Sequence, residues 1–501
     1  MRLSVLLAAT ALAGCAVGPD FVRPDAPEAT GYTREPAILM TASAKTTGGE
    51  AQTFHPDMDI PGEWWTLFRS PELNSLIEAA LKQNQDLKAA QAALRQAYEN
   101  VYAQQGGYYP QATGSFDYSR NKTATGSLSP ASASGNPYYT LWNPQLAVTF
   151  TPDVFGLNFR TVESDRALAE QQRYQLEATY LTLTSNVVAA AIQEASLRAQ
   201  IKATQEIIAL QVNLLGILRK QFELGQVAMA DQVAQEAALA QSQQALPPLQ
   251  KQLAVQRDLL TALAGRFPSD EIAETFTLDS LTLPTDLPLT VPLRLIEQRP
   301  DVRAADENMH SASALVGVAV ANRLPQFPIT GNIGSDANRL ANLFSSGNGF
   351  WTIMAGITMP LFDGGTLLHK DRAARAALEQ AAAQYRSTVI TSLQNVADSL
   401  RALQADADSL KAAVIAEQAA GRSLQITRSQ LQLGSIQYTQ LLQAQQTYEQ
   451  ALLTLVQAKA TRFADTGALF QSLGGGWWNR TDPEPPPTGG PFGDIVATTS
   501  K

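Results

Sequence analysis

Apolar positions along this chain follow two different periods. From Leu197 they recur at Ile201, Thr204, Ile208, Gln211, Leu215, Leu218 and Phe222. From Val389 they recur at Leu393, Val396, Leu400, Leu403, Ala407, Leu410 and Val414, and the steps of four and three continue to Leu431. A seven-residue repeat buries a seam between supercoiled helices. No proline falls between Pro152 and Pro247, or between Pro360 and Pro483, so nothing interrupts such helices. The pattern predicts long helices over 160–224 and 366–432, each ~100 Å at the helical rise of 1.5 Å per residue. Gly225 and Gly434 stand where the chain must turn. Return helices are expected over 229–264 and 438–473, with Pro247-Pro248 breaking or kinking the first.

Elsewhere the period is two. Ala112, Gly114, Phe116 and Tyr118 alternate with Thr113, Ser115, Asp117 and Ser119, and Trp142, Leu146, Val148 and Phe150 alternate with Asn143, Gln145, Ala147 and Thr149. Ile329, Gly331 and Ile333 oppose Thr330, Asn332 and Gly334. Trp351, Ile353, Ala355, Ile357 and Met359 oppose Thr352, Met354, Gly356 and Thr358. These segments predict strands over about 112–119, 142–150, 327–334 and 350–359, apolar on one face and polar but barely charged on the other.

The two sets of elements are copies. Asp86-Leu-Lys-Ala-Ala90 matches Asp301-Val-Arg-Ala-Ala305, and Tyr109-Pro-Gln111 matches Leu324-Pro-Gln326, both at an offset of 215. Leu224-Gly225 matches Leu433-Gly434 and Gly265 matches Gly474, both at 209. The order is kept and the offset drifts by loop-sized amounts, which indicates repeats over 73–265 and 288–474. Around them lie 15–72, an inter-repeat linker at 266–287, and a Gly/Pro-rich tail, 475–501, expected to be largely disordered.

Lys plus Arg number 37 against 46 Asp plus Glu, a formal charge of −9, which disfavours a nucleic-acid partner. Charged residues are 17% of the chain, below the ~25% usual in soluble domains. The histidines, His55, His310 and His369, are far apart, and there is one cysteine, so neither a metal centre nor a disulfide framework is expected. Asp406 and Asp408 look like a carboxylate pair, but two residues apart on a helix they face different directions. No nucleophile motif or phosphate loop is present, and an enzyme is not expected. A trimeric adhesive coiled coil would explain the heptads but not the strand pairs.

The single cysteine has a specific place. Met1-Arg2 is followed by a short apolar run and then Leu12-Ala-Gly-Cys15. This reads as an export signal over 1–14, too short to span a membrane. The order resembles a bacterial lipobox, which implies cleavage before Cys15, acylation of its thiol and amine, and, with Ala16 next, retention in the outer membrane. No cofactor is expected beyond that covalent lipid. After this segment no apolar run approaches the ~20 residues of a membrane helix, so a membrane crossing requires a β-barrel. Four strands cannot close one, and open edges in lipid are costly. Two copies would pool eight strands and three twelve. About eight strands make a barrel filled by side chains, so the polar inner face favours three.

At this point the residues resemble a family, the TolC-type outer membrane factors, in the NodT/OprM-like lipoprotein branch. The markers are Gly14-Cys-Ala-Val-Gly-Pro-Asp20, Trp64-Trp-Thr-Leu-Phe-Arg-Ser-Pro-Glu-Leu73, Arg299-Pro-Asp-Val-Arg-Ala-Ala305, Pro360-Leu-Phe-Asp-Gly-Gly365 and Leu473-Gly-Gly-Gly-Trp477. The resemblance implies an α+β membrane protein. Its trimer has a 12-stranded outer-membrane barrel, continuous with a long periplasmic helical barrel. It implies an exit duct for a tripartite efflux pump, without catalysis, working with a periplasmic membrane-fusion adaptor and an inner-membrane transporter of the RND type. A duct for protein or peptide secretion beside an ABC transporter is the alternative cargo reading.

The resemblance also carries sites. Family channels close at the periplasmic tip of the last helices, where Tyr438 matches a family tyrosine. The gate leucine, aspartate and arginine positions fall on Thr439, Gln443 and Gln446, a departure from the charged gate. The turns Leu224-Gly225-Gln226 and Leu433-Gly434-Ser435 match the adaptor contact. Asp231 is expected either to pair across helices at the tip or to cap the return helix.

Overall fold

A computed structural model describes residues 16–25, 31–34, 39–56, 58–122, 137–290, 292–433 and 435–480. Cys15, Gly434 and residues 481–501 therefore lie outside the described residues. The elements run β1 (Thr53–His55), α1 (Pro71–Gln83), α2 (Gln85–Gln105), β2 (Gln111–Lys122), β3 (Tyr138–Phe150), α3 (Leu157–Glu223) and α4 (Met229–Leu263). There follow β4 (Asp286–Pro288), α5 (Pro292–Gln298), α6 (Pro300–Ala321), β5 (Ile329–Ser335), β6 (Gly349–Ala355), α7 (Thr366–Gln432) and α8 (Tyr438–Ser472).

The duplication is exact in helix length. α3 and α7 each have 67 residues, and α4 and α8 each have 35. Both pairs begin 209 residues apart, at Leu157 and Thr366 and at Met229 and Tyr438. Along α7 the heptad seam is the buried face: Val389, Val396, Leu400, Leu403, Ala407, Leu410 and Val414 are all buried. α3 carries an apolar stretch long enough to cross a membrane, contrary to the sequence expectation. Val187, Val188, Ala191 and Ile192 within α3 are buried against other elements, which makes it the core helix of the shaft.

α4 runs unbroken through Pro247 and Pro248, where a break or kink was expected. The fixed φ of proline suits a helix. What is lost is two hydrogen bonds to the carbonyls of Gln243 and Gln244. Both glutamines and both prolines are exposed, so water can take those carbonyls.

Residues flanking the repeats build a girdle around the middle of the shaft. Trp64, Phe68, Leu73 and Ile77 pack with Leu260 of α4, with Phe276, Leu283 and Leu287 of the inter-repeat segment, and with Phe463 and Phe470 of α8. β1 pairs in parallel with β4, Thr53 opposite Asp286. The first residues of the tail belong here too. Trp477 donates its indole N–H to the Gln298 carbonyl at 2.6 Å, and Arg480 pairs with the buried Glu177 at 3.0 Å.

The second sheet is antiparallel, in the order β2-β3-β5-β6, so β3 and β5 join the two repeats. Its register aligns the alternation across all four strands. One row reads Gly114, Leu146, Ile333, Trp351, and the next Ala112, Val148, Gly331, Ile353. The opposite face carries Thr113, Ala147, Asn332 and Thr352. The apolar face is bare: Trp351 is 73% exposed and Ile353 74%. Such a face in a folded protein needs an apolar solvent. Ile353→Lys is expected to destabilise the bilayer-inserted protein by about 2–4 kcal/mol, while Thr352→Lys on the other face is tolerated. Denaturant titrations in lipid vesicles would check the pair, and equal effects would refute this assignment of faces.

An N-terminal strap lies at the junction of sheet and shaft. Val17 donates its N–H to the Phe155 carbonyl at 3.1 Å, and Ala16 abuts Gly156. Gly18 has φ +97, and a Cβ there would sit 2.4 Å from the Gly317 Cα, so only glycine fits. Arg160 holds the strap through the Val17 carbonyl at 3.1 Å and Asp20 at 2.7 Å. Farther on, Phe21 stacks on His310 at 4.4 Å and Arg23 pairs with the buried Asp306 at 2.6 Å.

Candidate functional site: the shaft tip

α3 ends in a Schellman turn. Gly225 takes φ +72. Its N–H reaches the Phe222 carbonyl, and the Gln226 N–H reaches the Gln221 carbonyl, both at 2.8 Å. This closes the helix-end carbonyls. α7 ends alike. The Ser435 N–H reaches the Gln430 carbonyl at 3.1 Å and its hydroxyl reaches the same oxygen at 2.9 Å. Leu224 and Leu433 stand at the two turns, 72% and 82% exposed. The tip therefore presents two equivalent, exposed leucines.

Tyr438, the first residue of α8, is buried. Its hydroxyl donates to Gln235 Oε1 of α4, and Gln235 Nε2 donates to the Gln211 carbonyl of α3 at 3.0 Å. Leu214, Leu218 and Leu441 pack around it. Burial, and then the charge of Asp231, push the tyrosine hydroxyl well above its ordinary range, so it remains a donor. Tyr438 is thus a brace across α3, α4 and α8. Asp231 is not the N-cap of α4, which is Ala228. It lies in the first turn, where the helix dipole favours a carboxylate. The ion pair that crosses helices near the tip is Arg219–Glu236, at 2.9 Å.

Thr439, Gln443 and Gln446 are exposed on α8. Their spacing of four and three places them on one stripe, which Gln450 and Thr454 continue. Gln443 and Gln446 line a shallow groove with Ala413 and Ala416 of α7. The nearest carboxylate on α8, Glu449, is directed instead to Ser242 of α4, and burial raises its pKa. The stripe is consequently uncharged. Among the described residues no cluster of His, Cys, Asp or Glu is placed to hold a metal.

One acidic site was missed from sequence. Asp406 does not pair with Asp408, but it does face Asp465 of α8. Burial, and then the hydrogen bond and charge of Asp465, push its carboxyl up to about 7. Asp406 Oδ2 is buried without a partner. The nearby Arg462, fully buried, is committed to the girdle through Thr41 at 3.2 Å and the Glu50 carbonyl at 2.5 Å. The sequence signal was the position of Asp406 beside Ala407, on the flank of the heptad seam. A carboxyl whose pKa is raised in the fold favours the folded state fully below its unfolded pKa, ~3.9. That contribution is lost as pH rises through the folded value. Stability should therefore fall between about pH 4 and 7. Asp406→Asn should flatten this slope and stabilise the protein at pH 8. Melting curves across that range check it, and an unchanged slope would refute the shared proton.

Residues 76–266 and 291–475 match the family described as Outer membrane efflux protein, one match to each repeat. The chain belongs to this family. It is 25% identical over 481 residues to the probable efflux pump outer membrane protein TtgC of Pseudomonas putida, covering 96% of both chains. To the cation efflux system protein CusC of Escherichia coli it is 26% identical over 482 residues, 95% of this chain and 99% of CusC. Its fold matches the outer-membrane channel OprN with a TM-score of 0.83 at 25% identity, covering 92% of this chain and all of OprN. The Campylobacter jejuni CmeC channel matches equally well in fold, 0.83 at 22% identity, over 94% of this chain and 97% of CmeC. The protein is the outer-membrane channel of an efflux pump and not an enzyme.

Proposed function

We propose that three copies pool their strands into a twelve-stranded barrel above a helical shaft, and that this duct passively carries small molecules out of the cell. The carrying observation is the four-stranded sheet, with neither edge paired among the described residues and its apolar face bare, continuous with helices of 67 residues. Free edges in lipid leave backbone groups unpaired. Closure by copies removes them and leaves the polar, barely charged face on a lumen. Relatives named for antibiotic, toluene, cation and pyoverdine export align with 96, 96, 95 and 83% of this chain. That breadth supports a wall that does not choose its cargo.

In this reading Leu224, Gly225, Gln226, Leu433, Gly434 and Ser435 meet a periplasmic adaptor. The exposed leucines suit an apolar hairpin. An RND-type inner-membrane transporter supplies the energy. Cys15 carries lipid, and the docking of Ala16 at Gly156 would hold that lipid beside the base of the barrel.

Thr439, Gln443 and Gln446 form the constriction, with Tyr438 bracing it from behind. A ring of amides and hydroxyls lacks the fixed charge that gives cation selectivity. Gln443→Asp should create cation selectivity in planar bilayers that disappears below about pH 4, as the new carboxyls protonate. Conductance without change in selectivity would move the constriction elsewhere. Absence of any conductance from the purified protein would overturn the duct.

A further inference from the structure

The N-terminal strap reaches the shaft from the side of the lipid, so the face it covers is the outer one. On α3 that face carries Arg160 and Glu163. Arg160 is buried under the strap and has two carboxylate partners, Asp20 of the strap at 2.7 Å and Glu163 at 2.8 Å. Ala16 abuts Gly156, just before α3 begins. Gly156 therefore marks the height at which a lipid on Cys15 enters the bilayer.

The second repeat has the same outer face but a different charge. At the offset of 209, Gly156 becomes Gly365 and Glu163 becomes Arg372. A carboxylate is thus replaced by a cation, and Arg372 is exposed with no carboxylate partner among the described residues. Arg375, one turn on, shares the carboxylate of Asp371 with Arg323 from the end of α6, at 3.1 and 3.4 Å. Asp371 is largely buried, while the side chains of Arg323 and Arg375 are 45% and 57% exposed. Three arginines therefore stand against one aspartate. Glu379, the next carboxylate along this face, pairs with none of them among the described residues.

The arginines stand at the height of the headgroups. Arg372 and Arg375 lie seven and ten residues past Gly365, about 10 and 15 Å below it at the helical rise. Side chains lean toward the N-terminus of their helix. Since α7 starts at the membrane, both arginines reach back up. Headgroups extend roughly 5–8 Å beyond the hydrocarbon on each side, and long arginine side chains snorkel to that layer. On the membrane side of Gly365, Leu361 and Phe362 are 92% and 93% exposed, apolar groups at acyl-chain depth. We propose that Arg323, Arg372 and Arg375 bind the phosphate of an anionic phospholipid in the periplasm-facing leaflet, which takes in the second repeat the place that Asp20 takes in the first. The guanidinium fork matches a phosphate, and the unmatched charge favours a lipid with net negative charge over a zwitterionic one. The proposal rests on the membrane-spanning sheet and the lipid on Cys15 described above, and it adds a lipid class and the residues that hold it.

Native mass spectrometry of the detergent-solubilised protein, with phosphatidylglycerol or phosphatidylcholine added, tests this. Phosphatidylglycerol should stay bound at concentrations where phosphatidylcholine does not. Arg372→Gln/Arg375→Gln should weaken phosphatidylglycerol roughly 25-fold, about fivefold for each arginine beside a charged headgroup, and leave phosphatidylcholine unchanged. Asp371→Asn should tighten it, because Arg323 and Arg375 lose their shared carboxylate. Arg386→Gln removes an exposed charge from α7 about 30 Å below Gly365, and should change nothing. A double variant that holds phosphatidylglycerol as wild type does, or an Arg386→Gln protein that loses it equally, would overturn the proposal. So would soluble glycerophosphate binding as tightly as the lipid, since that needs no membrane. Wild type that binds both lipids alike would overturn it and leave the channel standing. Release of the protein from membranes by an alkaline wash would instead overturn the membrane reading beneath it.

Discussion

Trp64→Ala should cost about 3–5 kcal/mol of stability, the usual range for emptying a large aromatic site in a core. Trp64 is 1% exposed. Its ring stacks on Phe470 at 5.4 Å and meets Trp65 and Phe68 edge-on at 6.3 and 6.4 Å. These contacts fasten the segment before α1 to the last turns of α8, so the cavity would open where the girdle closes on the shaft. Trp64→Phe should avoid much of the loss, because an aromatic face remains for Phe470. Leu224→Ala, at an exposed tip, should leave stability unchanged. Denaturant midpoints in detergent read all three. A Trp64→Ala protein as stable as wild type would mean that the girdle is not what holds the shaft together.

Glu194→Ala should be comparably severe. Glu194 is fully buried in α3, and one of its oxygens receives Arg198 at 2.6 Å and Arg257 of α4 at 2.9 Å. Arg257 also donates to the carbonyls of Ile272 at 2.7 Å and Glu274 at 3.2 Å, which ties the inter-repeat segment to the shaft. Removing the carboxylate takes the buried counter-charge from a largely buried guanidinium and leaves it only the exposed Glu271 at 2.5 Å, so the cost should approach, from below, the about 3–5 kcal/mol of a fully orphaned buried charge. The double variant Glu194→Leu/Arg257→Met should recover part of that loss, since a well-packed apolar pair can replace a buried ion pair. The same denaturation series checks it. A double variant no better than the single would show that the arginine matters chiefly for the carbonyls it holds.

Much of the architecture was legible because it is periodic and written twice. The seam from Val389 to Val414 and the glycines at 225, 265 and 474 mark helices and turns without tertiary knowledge, because heptads and left-handed turns are local features. Alternation placed the strands and their faces correctly. Their ends were less visible: β2 runs on to Lys122, β3 begins at Tyr138 and β6 stops at Ala355, since pairing rather than alternation sets where a strand ends. The prolines of α4 misled, because the cost of a proline depends on whether water reaches the carbonyls it abandons. Asp406 was opaque for a similar reason. Its partner is 59 positions away on α8, and no pattern along one helix reveals a contact with another. At the tip, sequence marked Tyr438 but not its bond to Gln235, which makes it a brace rather than a pore-lining residue.

The mass of the detergent-solubilised particle, by light scattering corrected for bound detergent, bears most directly on how this chain crosses the membrane. Three chains per particle is the expected value, as a twelve-stranded barrel requires four strands from each. A folded particle of one chain would contradict it, because the edges of β2 and β6 would then have no copy to close them.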